Sequence, residues 1–116
     1  MLLITKQDSE NWIVTLNEKV TIANPTFLFS LKSRQTDTIK NFLLTDISAY
    51  KDRYNKFYFE EGLTDAKTLE VGEHEYVIYA QISPTNLNPS LADEIVESGI
   101  LKVQPLLNNE YYYEVS

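Results

Sequence analysis

An all-β sandwich with one or two short helical turns is the fold class this sequence predicts. Three observations predict it. Short stretches of β-branched and aromatic residues recur along the chain, separated by Gly, Pro, Asn and Asp. A helical period of apolar residues is almost absent. Finally, Leu69–Ile82 reads as one long strand following a turn at Gly72. On its pleat His74, Tyr76, Ile78 and Ala80 share one face, and Glu73, Glu75, Val77 and Tyr79 share the other. The first face is the less charged and is expected to look into the core. The second becomes apolar from Val77 onward, so its later part is expected to be covered too, as in a central strand.

The other elements follow in order. Leu2–Thr5 is a short β-prone segment, and the polar residues Gln7–Asn11 are expected to break it. Trp12–Leu16 is a strand with Trp12, Val14 and Leu16 on one face, and Val20–Ile22 resumes an extended pattern. Asn24-Pro25 marks a loop, because proline pushes the preceding residue out of the helical region. Thr26–Leu31 alternates, with Phe27, Phe29 and Leu31 on one side, and pairs in a hairpin with Thr38–Leu44 across the polar turn Ser33–Asp37. Asp46 and Ser48 are capping residues, and Ser48–Tyr54 has the polarity of a single helical turn. Phe57–Phe59 returns to strand chemistry, and Gly62–Lys67 loops back to the central strand. Ser83–Ser90 is the most loop-like stretch. Beyond it, Leu91–Glu97 reads as a short helix capped by Asn88, with Pro89 at its first position and Gly99 at its end. A hairpin around Ser98-Gly99 is the alternative. In either case Ile100–Val103 is the last core strand.

At 116 residues, with 43% hydrophobic and 23% charged, the chain suits one domain over residues 1–116, ending in a tyrosine-rich tail at 108–116. The opening residues are too soon polar for a signal peptide or membrane span, so no membrane partner is expected. There is no cysteine, which excludes disulfides and thiolate zinc sites. The net charge of −7 is uneven: Met1–Lys67 holds nine acids and nine bases, whereas Thr68–Ser116 holds eight acids and only Lys102. A nucleic-acid footprint needs clustered Lys and Arg, so none is expected in the second half, and Lys51, Arg53 and Lys56 read as a solvated face.

Chemistry finds little support. His74 is the only histidine, and its neighbours Glu73 and Glu75 point to the opposite face, so it reads as a core or rim residue. The three glycines are too far apart to cradle phosphate. Glu60–Asp65 has acids enough for calcium but lacks alternating oxygen ligands, and a solvated turn is the default. No catalytic residue, metal or cofactor is expected. The compositional excess is aromatic: eight Tyr, five Phe and one Trp. Tyrosine buries a ring while keeping its hydroxyl wet, which suits interface rims and sugar platforms. Tyr79, Tyr111, Tyr112 and Tyr113 are the candidate protein-interface residues, although a tail strand completing the sheet is an equal reading of the last three.

The spacing Leu69-x-x-Gly72-x-His74 resembles the corner of immunoglobulin-like sandwiches, with His74 where the corner tyrosine would stand. This implies a single immunoglobulin-like antiparallel β-sandwich. A wider set of residues carries a second likeness: Asp46-x-Ser48-x-Tyr50-x-Asp52-Arg53-Tyr54-Asn55-x-Phe57, Gly72-Glu73-x-Glu75-Tyr76-x-Ile78-Tyr79-x-Gln81, Asn88-Pro89, and Val96-Glu97-x-Gly99-x-Leu101-x-Val103. Over about Asn24 to Val103 the chain resembles small virion proteins of tailed bacteriophages, most of all those of crAss-like phages and their relatives infecting Bacteroidales. The resemblance implies a non-enzymatic auxiliary capsid (decoration) protein, or a head or tail accessory domain. It would lie in the virion in multiple copies, with the major capsid protein or other virion proteins as partners. The competing expectations are a carbohydrate-binding module using Trp12 or Tyr79 as a platform and, below it, a small hydrolase with clustered carboxylates.

Overall fold

The computed structural model describes residues 2–16, 20–22, 25–48 and 54–105. Its strands are β1 (Leu2–Thr5), β2 (Ser9–Val14), β3 (Thr26–Ser33), β4 (Ile39–Leu44), β5 (Asn55–Glu60), β6 (Gly72–Gln81) and β7 (Glu94–Gln104), with single 3-10 turns at Asp65–Lys67 and Pro89–Leu91. A five-stranded sheet has the order β1-β7-β6-β3-β4, and a smaller sheet pairs β2 with β5. The fold is all-β, as the alternating pattern predicts, and β6 is the central strand. The expected helical turn at Ser48–Tyr54 falls largely on residues outside those described, as does the 108–116 tail with Tyr111, Tyr112 and Tyr113.

The alternating aromatics of the two sheets meet between them. Trp12 of β2 stacks on Phe59 of β5 with ring centroids 4.7 Å apart. Phe57 meets Phe27 and Phe29 of β3 edge-on at 5.1 and 5.0 Å. Phe42 of β4 contacts Phe59 at 5.1 Å. Leu31, Leu69, Tyr76, Ile78, Ala80, Val96, Leu101 and Val103 complete the core. Such offset and edge-to-face ring pairs add about 0.5–1.5 kcal/mol each beyond the area they bury.

Four expectations are corrected. First, the sandwich is not wholly antiparallel: β1 runs parallel to β7, Leu2 opposite Leu101 and Thr5 opposite Gln104. Hydrophobic alternation carries no information on strand direction. Here the chain closes one sheet edge and then crosses to the other sheet through Gln7, at φ 62°. Secondly, the polar break after Leu2–Thr5 is confined to Lys6–Asp8 and does not reach Asn11: Ser9–Asn11 already belongs to β2, paired with Tyr58–Glu60 of β5. Thirdly, Leu91–Glu97 is not a helix: Asn88 caps and Pro89 opens only one 3-10 turn, Pro89–Leu91. Fourthly, Ser98-Gly99 is no hairpin turn, because β7 runs straight through it. Gly99 lies opposite Tyr76, and a Cβ there would sit 2.8–2.9 Å from the Tyr76 ring and hydroxyl. Glycine in this strand makes room for a ring.

Candidate interaction surface

Two loop regions position the side chains that sequence reasoning singled out. At one end of the sandwich Glu61 is buried. Its Oε2 accepts from Lys6 Nζ at 2.7 Å and from Leu69 N–H at 3.0 Å, and its Oε1 accepts from Gln7 N–H at 2.7 Å. Lys6 Nζ also donates to the Leu69 carbonyl at 2.6 Å. Burial pushes the Glu61 carboxyl up, but these donors outweigh it and hold the group below its usual range. The solvated reading of the acidic turn holds for Glu60 and for Gly62–Asp65, which are exposed, and is corrected at Glu61 alone, whose carboxylate is buried and occupied by these donors. Glu61 is a clasp tying the end of β1 to the approach to β6. The Leu69–His74 corner is thus fastened through Leu69's backbone. Gly72, at φ 126° with the Gln35 amide 3.1 Å from where a Cβ would be, needs to be glycine. His74 is buried on the core face as expected. Burial lowers its pKa, while the Gly72 backbone and the Glu70 carboxylate oppose that shift. Its Nδ1 has no hydrogen-bond partner among the described residues.

The opposite end carries the candidate surface. Connections from β2 to β3, β4 to β5 and β6 to β7 all leave from this end, as the strand registers require. The pleat turns Gln81 to the outer face of the larger sheet, away from Ala80 in the core. Gln81 is nevertheless fully buried, because the β6–β7 loop folds back over it. Its Nε2–H groups donate to the Ser83 and Asn86 carbonyls at 3.0 and 2.9 Å, and its Oε1 accepts from Asn86 Nδ2 at 2.9 Å. Asn86 Oδ1 accepts from Asn88 N–H at 3.0 Å, Ser83 Oγ from Asn86 N–H at 3.1 Å, and Asp93 Oδ2 from Ile82 N–H at 2.7 Å. A buried amide meeting all its partners fixes a loop. What the loop presents is apolar: Ile82 is 72% exposed, Leu91 70%, and Leu87 also lies open.

Tyr79 lies beside this loop, half-buried, on the outer face. Its cross-strand neighbours are Leu28 of β3 and Ile95 of β7, and Leu28 in turn faces Leu43 of β4. An apolar row thus runs Leu43–Leu28–Tyr79–Ile95 across four strands, buried at Leu28 and 66% exposed at Ile95. Lower on this face the rows become charged, Glu75 standing between Lys32 and Ile100. Arg34 bonds Glu73 at 3.0 Å and Glu75 at 3.7 Å beside a polar cavity of about 110 Å³. The aliphatic members of the surface were missed by sequence reasoning; an isoleucine in a strand reads as core unless its register is known.

Trp12 is corrected as a sugar platform. It is 3% exposed, stacked on Phe59, and its indole N–H donates to the Leu3 carbonyl at 3.1 Å. Among the described residues no group of three or more His, Asp or Glu side chains converges as a metal site, and no helix is long and apolar enough to cross a membrane.

No family description matches the chain, and no curated protein matches it. Among solved structures it is similar to a putative glycoside hydrolase from Bacteroides vulgatus ATCC 8482, with a TM-score of 0.51 and 12% identity. The similarity covers 91% of this chain and 17% of that one, so this chain spans under a fifth of that protein's length. At this identity the likeness is one of fold.

Proposed function

We propose that this chain is a non-enzymatic binding module, a structural component of a bacteriophage particle that docks onto capsid or other particle proteins by the β6–β7 end of its outer face. The observation that carries the binding role is the set of exposed aliphatic side chains, Ile82, Leu87, Leu91 and Ile95, displayed on a loop and strand whose backbone is already fixed by Gln81, Asn86 and Asp93. Preorganised apolar groups lose little entropy on docking, which is where affinity is gained. The phage assignment is supported by the sequence resemblance over about Asn24 to Val103. The order β7-β6-β3-β4 facing a β2-β5 pair supports the immunoglobulin-like reading, since it parallels strands G-F-C-C′ facing B-E. With Trp12 inside the core, the carbohydrate reading rests on Tyr79 alone, flanked by aliphatic neighbours instead of a second ring.

Mass spectrometry of purified particles of the phage that encodes the chain tests the proposal. The chain is expected in intact particles at a fixed ratio to the major capsid protein. Its absence from particles would overturn the assignment.

A further inference from the structure

We infer that the outer edge of β4 is a self-complementary pairing site, through which two copies of this chain join antiparallel across a twofold axis at Asn41. The inference is independent of the docking role. Four strands stand at sheet edges, β1 and β4 in the larger sheet and β2 and β5 in the smaller. Three of them are blunted by bonds to their outward backbone. The Leu3 carbonyl of β1 accepts from the Trp12 indole N–H at 3.1 Å. In β2 the N–H groups of Ser9 and Asn11 donate to the Asp8 and Glu10 carboxylates at 2.8 and 3.2 Å. In β5 the Lys56 N–H donates to Asp46 Oδ1 at 3.1 Å, and the Lys56 carbonyl accepts from Ile47 N–H at 2.8 Å. The fourth edge differs. Ser33 N–H donates to the Thr38 carbonyl at 2.9 Å. By alternation from that pair, Lys40, Phe42 and Leu44 bond β3, and the N–H and C=O groups of Ile39, Asn41 and Leu43 turn away from it. Among the described residues nothing bonds those outward groups.

An open edge is a template for another strand, and the residue order of this one selects a second copy. Reversed about Asn41, the run Ile39-Lys40-Asn41-Phe42-Leu43 meets itself with Ile39 opposite Leu43 and Asn41 opposite Asn41. The outward N–H groups of each copy then donate to the outward carbonyls of the other, and none is left over. Ile39, Asn41 and Leu43 share the outer face, with Ile39 56% exposed. Each Ile39 thus forms an apolar cross-strand pair with Leu43 of the second copy. At the centre, Asn41 Oδ1 is buried and has no hydrogen-bond partner among the described residues. The facing amide across the axis supplies one once the side chain turns to it. Lys40, the one charge of the strand, lies on the inner face, where its Nζ donates to the Asp65 carbonyl at 3.3 Å. In the pair it falls opposite Phe42 and not opposite its own image. The net charge of −7 does not oppose this contact. Glu73, Glu75 and Glu94 stand on β6 and β7, with β3 between them and β4, whereas Lys32, Arg34 and Lys40 outnumber Asp37 on the β3–β4 hairpin. The pair is isologous, so it closes at two copies and merges their larger sheets into one.

Sedimentation of the full chain over a concentration series is expected to show a monomer–dimer equilibrium and no larger species. Hydrogen exchange at the Ile39, Asn41 and Leu43 amides is expected to slow in the dimer. The Lys40, Phe42 and Leu44 amides, already bonded to β3, should change little. Asn41→Pro removes the central outward N–H without touching the β3 ladder, and Asn41→Lys sets like charges face to face. Each is expected to weaken dimerisation about tenfold or more and to leave the dilute chain folded. The inference is overturned if the chain stays monomeric up to about 1 mM, or if a dimer forms with protection on another strand or on the β6–β7 loop. It is equally overturned if both variants dimerise as well as the wild type, or if assembly continues beyond two copies. The exchange pattern of the wild type decides the matter even where a variant fails to fold. Pairing is read on the purified chain and docking on particles, so failure of either leaves the other standing.

Discussion

At Glu61 the chain buries a carboxylate and surrounds it with Lys6 Nζ and the N–H groups of Gln7 and Leu69. Replacing one partner of such a cluster strands the others, which costs about 2–3 kcal/mol when a charged group is involved. Glu61→Gln is therefore expected to lose about that much in urea denaturation at neutral pH. The pH dependence has a definite sign. Because the folded carboxyl is held below its usual range, its stabilisation is complete above the unfolded-state value and disappears as the pH falls through the folded one. The difference between wild type and variant should thus close in acid, and a gap that persists at low pH would refute the clasp. His74 acts in another window. Its folded pKa is lowered, mainly by burial, so protonation favours the unfolded chain as the pH falls below about 6.5. His74→Leu is expected to flatten the fall in stability below about pH 6.5, whereas an unchanged slope there would assign it to another group. No local pattern announces the burial of Glu61, since acids beside glycine read as a wet turn. Its burial is decided by Lys6, 55 positions away.

Among the elements, β6 was the most legible and β7 the least, for the same physical reason. Both faces of β6 could be read by alternation, and the core set His74, Tyr76, Ile78 and Ala80 is buried as expected. In β7 the glycine that marks a turn by composition instead accommodates the ring of Tyr76, a residue more than twenty positions earlier. Register, which local pattern does not contain, distinguishes the two. Gly99→Val should cost about 1–3 kcal/mol by overpacking against that ring. Tyr76→Ala should cost less in the Gly99→Val background than alone, and a double-mutant cycle in thermal denaturation measures the difference. Strictly additive losses would mean that the ring does not occupy the glycine's space. The β6–β7 loop was read correctly as a loop, but its rigidity was invisible, because it depends on Gln81 facing outward and being covered. Gln81→Ala is expected to speed hydrogen exchange across 83–90 by an order of magnitude or more, each lost buried bond contributing about 1 kcal/mol. Exchange elsewhere in β3 and β6 should change far less.

Over the whole molecule, two ends of one sandwich divide the work. The Glu61 clasp and the Arg34 pairs close the end away from the β6–β7 loop with polar bonds, while that loop leaves its aliphatic groups in water. Exposed leucine and isoleucine contribute almost nothing to the fold, yet each stands to gain about 1.5–3 kcal/mol if a partner covers it. This separates binding from stability in a single experiment. Leu91→Asp combined with Ile95→Asp should leave the melting temperature within a degree or two, since neither side chain packs in the core. Incorporation into particles should nevertheless fall by about tenfold or more, since charge would be driven into the contact and apolar burial lost. Tyr79→Ala is the internal comparison: half-buried against Leu28 and Ile95, it should weaken both stability and docking. If the double aspartate variant is incorporated as well as the wild type, the exposed aliphatic groups are not the docking surface.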